Sequence, residues 1–418
     1  MSFHYQHGQL YGEAVSIEEI AQTIPTPFYV YSERALRSQM QAFADAAQKR
    51  LSSFLICFAV KSNANPAIIK ILATMGAGAD IVSEGELLLA LKSGVLADKI
   101  VFSGVGKTRE ALTLAVEKGI KQINLESEEE ASMLDEIAVK AGKKVRVAVR
   151  VNPDVDAHTH HKITTGKKEN KFGVAWQEAR SLYKRLAKSE SLIPAGIDVH
   201  VGSQLLETKP FEEAFKRTAE IVRTLRQDGI HLQTIDVGGG LGVAYQDTDK
   251  PCTPDDYMTV VAEQLGALGC EIIFEPGRFL VAPAGVLVSR VVRIKHTPFK
   301  DFLVLDAGMN DLIRPAIYDA YHGIIAVKED EATQKFDVVG PICESSDVFG
   351  QDRILPVMSP DDLVVIKTAG AYGSSMGSNY NFRPLCAEVL VNENRFAVIR
   401  EQQTFNEMLF LNRPAPWL

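Results

Sequence analysis

Four short apolar runs in this 418-residue chain lead directly into side chains that could do chemistry. Leu55–Val60 is followed by Lys61, Gly196–Val199 by His200 with Gly202 and Ser203, Thr234–Val237 by Gly238, Gly239 and Gly240, and Glu271–Phe274 by Glu275, Gly277 and Arg278. A lysine ending an apolar strand is desolvated, which disfavours the ammonium and leaves a better imine-forming amine. A lysine that reaches past the strand end into solvent is the plain alternative. Clustered glycines leave backbone N–H groups open to a phosphate, although a tight strand-to-helix turn uses them too. Glu275 and Arg278 place an acceptor and a fixed cation within four residues, suited to a protonated ring nitrogen and an anionic group, or to a structural ion pair. His200 has core, metal-ligand and stacking readings, and no acidic metal cluster at ligand spacing accompanies it.

Two later segments add further groups. Gly340–Asp347 (GPICESSD) carries the thiol of Cys343 and the carboxylate of Glu344 in a loop-like stretch, with an inert buried thiol as the competing reading. Gly370–Gly373 (GAYG), followed by Ser374 and Ser375, supplies the phenol of Tyr372 and backbone donors, or a simple turn.

These groups need a scaffold that brings them together. Between residues 55 and 275, eight short β-branched runs alternate with amphipathic stretches: Leu55–Val60, Ala79–Val82, Ile100–Phe102, Gln122–Leu125, Val145–Val151, Gly196–Val199, Thr234–Val237 and Glu271–Phe274. Helix-like segments such as Pro66–Met75 and Phe211–Gln227 separate them. Eight βα units predict a closed (β/α)8 TIM-like barrel, whose chemistry gathers at the C-terminal strand ends and whose phosphate sites follow strands seven and eight. Ser127–Glu130 reads as a capping box and Pro210 as a helix start. Asp154–Gly173 is a polar insert that reads as a substrate loop or a surface loop, and its His158, His160 and His161 are expected to face solvent.

After residue 280 the period becomes strand-like, over Gly285–Ile294, Phe302–Leu305, Lys335–Val339, Leu363–Thr368 and Ala387–Val391. The chain is therefore α/β, with a barrel over 36–280 and a C-terminal β-rich (barrel- or sandwich-like) domain over 281–418. Residues 1–35, with the strand-like Phe28–Tyr31, are expected to complete that domain.

Bulk properties exclude several classes. A net charge of −8 offers no basic field for nucleic acid. No apolar run reaches the ~20 residues of a membrane span, and the opening residues lack a signal-peptide pattern. Five cysteines without CxxC spacing suit a reducing, cytoplasmic setting.

Read together, FAVKSN (Phe58–Asn63), HVGSQ (His200–Gln204), GGGLG (238–242), EPGR (275–278), RPAIYDAYH (Arg314–His322), CESSDVF (Cys343–Phe349) and GAYG with SNYNFRP (370–384) resemble, in order, the fold-type III pyridoxal-phosphate-dependent decarboxylases, and within them the diaminopimelate decarboxylase family. The resemblance runs from about residue 25 to 395. It implies that Lys61 holds pyridoxal 5'-phosphate as an imine, that His200 stacks on the ring, and that Glu275 keeps the ring nitrogen protonated. It further implies that Ser203, Gly240, Gly277, Arg278 and Tyr372 surround the phosphate and neighbouring groups. Arg278, Arg314, Tyr318, Glu344 and Tyr372 would bind substrate, and Cys343 would return the proton after decarboxylation. The implied assembly is a homodimer with active sites shared across the interface, and the implied reaction turns meso-diaminopimelate into lysine and carbon dioxide. Arg314 favours that substrate, because an arginine recognises the distal carboxylate that diamine-forming substrates lack. The alternatives are a decarboxylase of a basic amino acid or carboxynorspermidine, an alanine-racemase-like enzyme, and a non-catalytic cofactor-binding homologue. Ser62, Glu84, Phe382, Leu385 and Cys386 depart from the family's usual residues.

Overall fold

A computed structural model describes residues 2–152 and 171–417. Most of the Asp154–Gly173 insert, including its three histidines, lies outside the described residues. The chain divides into two compact units, one over 37–244 with 249–280, and one over 1–36, 245–248 and 281–418.

The first unit is an eight-stranded closed parallel barrel. Its strands are β1 (Phe54–Ala59), β2 (Gly78–Ile81), β3 (Ile100–Phe102), β4 (Gln122–Leu125), β5 (Val145–Arg150), β6 (Leu192–Asp198), β7 (Thr234–Asp236) and β8 (Glu271–Phe274). Closure comes from β8 pairing with β1, Phe274 opposite Ile56. Both faces of these strands are covered, so they read as nearly continuous apolar runs, as in β1, where five of six residues are buried. Helices α1 (Pro66–Thr74), α2 (Glu84–Lys92), α3 (Arg109–Lys118), α4 (Glu128–Ala141), α5 (Trp176–Leu186), α6 (Lys209–Gln227) and α7 (Pro254–Leu265) follow or separate the strands. Phe43, Phe211, Phe215, Tyr257 and Phe274 form an aromatic cluster between helix and barrel, with the Phe43 and Phe274 rings edge to face at 5.4 Å.

Local boundaries differ from the periodicity where polar demands intervene. β6 begins four residues before the expected Gly196, and its register with β5 shifts between Pro194 and Gly196, where the proline lacks a ladder donor. At α4, Ser127 caps the helix through the Glu130 N–H, but the Glu130 carboxylate binds Lys107 Nζ at 2.7 Å and the Glu126 N–H at 2.9 Å. The expected capping box is thus half formed, because a buried ammonium claims the second half.

The second unit centres on a sheet ordered Val348–Pro356, Thr333–Val339, Asp301–Leu305, Gly285–His296, Phe28–Ser32, Ala387–Asn392, Arg395–Arg400, with Leu363–Ile366 branching from Gly285–His296 and Ile324–Ala326 pairing in turn with Leu363–Ile366. Phe28–Ser32 runs antiparallel to Gly285–His296 and parallel to Ala387–Asn392. Its core gathers Ile17, Ile20, Phe28, Val30, Val286, Val288, Val365 and Val389. The buried Glu13 carboxylate joins the N-terminal hairpin to this sheet by accepting from Ser32 Oγ, the Arg34 N–H and the Glu393 N–H at 2.7–3.0 Å.

Candidate functional site

Because all eight strands are parallel, their C-terminal ends open on one face. Lys61 stands there in the 3-10 turn Val60–Ser62 that ends β1. Its Nζ lies 2.8 Å from Asp80 Oδ2, and Asp80 is fully buried in β2. The neighbouring Ser62 satisfies its hydroxyl on the Ala59 carbonyl at 2.7 Å, so this departure from the family's usual residue is accommodated locally.

Glu275 follows β8 and is buried. Its Oε1 accepts from Ser103 Oγ at 3.2 Å. Burial, followed by the nearby carboxyls of Asp236, Asp80 and Asp198, raises it well above the ordinary carboxylate range. Asp236 is pushed up to about 7, again chiefly by burial. Asp198 is also raised by burial and by Asp236. Against these acids stand Lys61 and Arg150, and Arg150 Nη1 donates to Glu126 Oε1 at 2.9 Å while its guanidinium stacks over the Phe172 ring at 4.8 Å.

His200, after β6, is held well below its usual value by burial and then by the positive charges of Arg150 and Lys61. Its Nδ1 accepts from the Gly239 N–H at 3.3 Å, which places the ring proton on Nε2. A neutral imidazole with a fixed ring plane suits stacking better than metal ligation in an electropositive setting.

The glycine turns are close approaches of backbone. A Cβ on Gly240 would lie 2.8 Å from the Gly202 carbonyl, and Gly240 has φ +111°, a conformation side chains rarely adopt. A Cβ on Gly277 would lie 3.0 Å from Ser62 Cβ. Arg278, 8% exposed, donates from Nη2 to Ser203 Oγ at 3.0 Å, tying the loop after β8 to the loop after β6. Lys61, His200, Ser203, Gly240, Glu275, Gly277 and Arg278 therefore belong to one barrel mouth.

The remaining expected residues lie in the second unit. Arg314 opens the short helix Arg314–Tyr318, buried, with its guanidinium 4.6 Å over the Tyr245 ring. His322 Nδ1 donates to the Lys367 carbonyl at 2.8 Å, so its Nε2 accepts from Arg314 Nη1 at 2.9 Å. Cys343 and Glu344 are exposed on the loop Gly340–Asp347. The buried Asp347 carboxylate closes this loop, accepting from the N–H groups of Met309 and Ile342 at 2.7 Å each. Glu344 accepts from Tyr380 at 2.5 Å. Tyr372 adopts a left-handed backbone with φ +56°. Sequence reasoning passed over Asp80, Ser103, Asn124 and Asp236 as site residues: Asp80, Asn124 and Asp236 lie within strand runs, and Ser103 ends the Ile100–Phe102 run outside any recognisable motif. The i, i+2 spacing of polar residues within buried strands, as in Gln122 and Asn124, was the available signal.

Residues 35–282 match the family model of the pyridoxal-dependent decarboxylase pyridoxal-binding domain. A diaminopimelate decarboxylase of Zymomonas mobilis is 46% identical over 100% of this chain and 99% of its own length. The structure is similar to diaminopimelate decarboxylase from Helicobacter pylori complexed with L-lysine, at 41% identity and TM-score 0.91 over 94% of this chain and 98% of that one. It is also similar to the M. jannaschii enzyme in co-complex with L-lysine, at 36% identity and TM-score 0.95 over 100% and 99% of the two chains. A lysine, an acid and a glycine-lined turn at the mouth of a barrel with this ancestry place the chain in the pyridoxal-dependent decarboxylases, as a member of the diaminopimelate decarboxylase family.

Proposed function

We propose that this chain decarboxylates meso-2,6-diaminopimelate to L-lysine and carbon dioxide. The observation that carries the reading is one amine, Lys61, and one buried acid, Glu275, at the same barrel mouth as a neutral His200 and a glycine cradle that a Cβ would fill. These residues fit pyridoxal 5'-phosphate: Lys61 for its aldehyde carbon, His200 for a ring face, Glu275 for the ring nitrogen, and Ser203, Gly240, Gly277, Arg278 and Tyr372 for the phosphate and its surroundings. When bound, the protonated pyridine ring withdraws the electron pair left behind as carbon dioxide departs.

The chain's own residues do the rest. Arg314, held flat by Tyr245 and oriented by His322, takes the distal carboxylate as a fork of parallel donors, and Glu344 takes the distal ammonium. Tyr318, Tyr372 and Arg278 complete the substrate contacts. Cys343 returns a proton to the carbon that lost the carboxylate, the thiol S–H bond breaking as the new C–H bond forms. The exposure of Cys343 and Glu344 suits residues that serve the site of a second copy, in a cytoplasmic homodimer with shared active sites.

Purified protein with pyridoxal phosphate and separate meso-diaminopimelate, lysine, ornithine and arginine is the test, read as carbon dioxide and amine product. Lysine formed from diaminopimelate alone is the expected result. Release from another substrate overturns the substrate assignment, and racemisation without release overturns the reaction.

A further inference from the structure

A line of polar side chains crosses the barrel interior and ends on Glu275. Residues two apart on a strand share a face, so Gln122 and Asn124 of β4, like Thr234 and Asp236 of β7, present matched pairs, and all four are at most 1% exposed. β4 and β7 are not neighbours in the barrel, so their bonds span the lumen. Thr234 Oγ1 donates to Gln122 Oε1 at 2.6 Å, and Gln122 Nε2 donates to Asn124 Oδ1 at 2.8 Å. Asn124 Nδ2 donates both to Ser103 Oγ at 3.1 Å and to Asp236 Oδ2 at 3.2 Å. Ser103 Oγ donates on to Glu275 Oε1 at 3.2 Å, and the Gly238 N–H donates to Asp236 Oδ1 at 3.0 Å.

The chain has one polarity. Turning the Asn124 amide over would set its carbonyl oxygen against the Asp236 carboxylate and its N–H group against the Gln122 donor, so the geometry fixes every amide in the line. Both carboxyls are buried, and the nearby Asp236 raises Glu275 after burial itself. Two carboxyls so placed resist ionising together.

We propose that Ser103, Asn124 and Asp236 are positioning residues for Glu275: the ladder holds the carboxyl pair with one shared proton and aims Glu275 at the pyridine nitrogen. The proposal rests on the reading of Glu275 as the partner of that nitrogen. Asp236 keeps the proton inside the barrel, Ser103 fixes Glu275 through Oε1, and Asn124 couples the two. Among the described residues, the charged and titratable groups facing this pair are Cys57, Lys61, Asp80, Arg150, Asp198 and Tyr257.

The experiment compares Asp236→Asn, Ser103→Ala, Ser103→Thr and Glu275→Gln as purified protein loaded with pyridoxal phosphate. Each is followed by cofactor absorbance against pH, kcat and KM, and by denaturation without cofactor. Asp236→Asn should retain the cofactor, move the pH midpoint of its absorbance by about one unit or more, and lower kcat about tenfold with KM nearly unchanged. Ser103→Ala should act in the same direction but less, and Ser103→Thr should restore the parent behaviour. If Asp236→Asn changes only the denaturation midpoint, with spectrum and kcat as in the parent, the ladder is structural and the proposal falls. If Asp236→Asn does not fold, the Ser103 pair decides by the same criteria. Glu275→Gln separates the two layers: an inactive Glu275→Gln beside a fully active Asp236→Asn removes only the ladder, whereas a fully active Glu275→Gln removes the assignment beneath it.

Discussion

Lys61 Nζ lies 2.8 Å from Asp80 Oδ2, an amine on the barrel rim against an acid sealed inside the wall. The relationship is unequal, since the Lys61 side chain is 37% exposed and Asp80 0%. Asp80 Oδ1 has no hydrogen-bond partner among the described residues. The acid therefore depends on the lysine more than the lysine depends on it.

Removing Lys61 should leave that buried charge without its amine. Lys61→Ala is expected to abolish the imine absorbance of added pyridoxal phosphate and to lower the stability of the cofactor-free protein by about 1–3 kcal/mol, the usual penalty being reduced by the exposure of the Lys61 amine. Lys61→Ala combined with Asp80→Asn should recover most of the stability and none of the absorbance. Denaturation curves and spectra of the single and double variants check both. Equal stability of parent and Lys61→Ala would show that the pair does not hold the rim.

Cys343→Ala should keep the cofactor spectrum and slow turnover by roughly 10²-fold or more, because a positioned general acid contributes on that order. Measured in single turnovers, the loss should appear after carbon dioxide release. A Cys343→Ala enzyme at parental speed would take the thiol out of the mechanism.

The eight barrel strands and the candidate residues at their ends were legible because parallel barrel strands are buried on both faces and print as apolar runs, and because those side chains sit where the runs stop. Lys61, His200, Glu275 and the 238–240 glycines could be named that way. What could not be read is which polar groups meet across the lumen. Asn124 and Asp236 are 112 residues apart in the chain and meet only because β4 and β7 face each other through a closed barrel. The Glu130 carboxylate illustrates the same limit: its spacing from Ser127 predicts a capping box, and a lysine 23 residues earlier overrides it.

His200 is held neutral by burial and then by Arg150 and Lys61, below its value in an unfolded chain. The unfolded chain therefore binds a proton below about pH 6.5 that the folded chain refuses, so this group lowers stability as pH falls through that point. The slope from one such proton is about 1.4 kcal/mol per pH unit. The acid pair works with the opposite sign. Asp236, raised in the fold to about 7, lets stability fall as pH rises from about 4 to about 7. His200→Phe should remove only the first contribution, making the cofactor-free protein relatively more stable at pH 5 than at pH 8 when each is compared with the parent by chemical denaturation. A constant difference at both pH values would contradict the assigned direction.

Arg314 is buried against Tyr245 and His322, so both charge and shape at this position are constrained. Arg314→Lys keeps the charge but loses the planar fork and its stacking. The expected result is a fall of about 10- to 100-fold in kcat/KM for diaminopimelate, corresponding to about 1–3 kcal/mol of lost recognition. Discrimination against lysine, which lacks the distal carboxylate, should shrink by a similar factor. Competition between the two substrates measures it directly, and unchanged discrimination would move distal recognition to another residue.

Gly240 separates the folding role of the glycine turn from its role toward phosphate. Its φ of +111° lies outside what alanine adopts comfortably, and a Cβ would press on the Gly202 carbonyl at 2.8 Å, in the loop that also carries Ser203. Gly240→Ala should thus displace Gly202, disturb the Ser203 hydroxyl that Arg278 holds, and cost about 1–3 kcal/mol of stability. Gly119 also has positive φ, +65°, but it ends α3 with open space around the position of a Cβ. Gly119→Ala should therefore show backbone strain with no effect on the site. If the 238–240 turn receives the phosphate, Gly240→Ala lowers affinity for pyridoxal phosphate well beyond Gly119→Ala at matched stability, as equilibrium titration of absorbance will record. Equal affinities in the two variants would leave the turn as a packing device and place the phosphate on other donors.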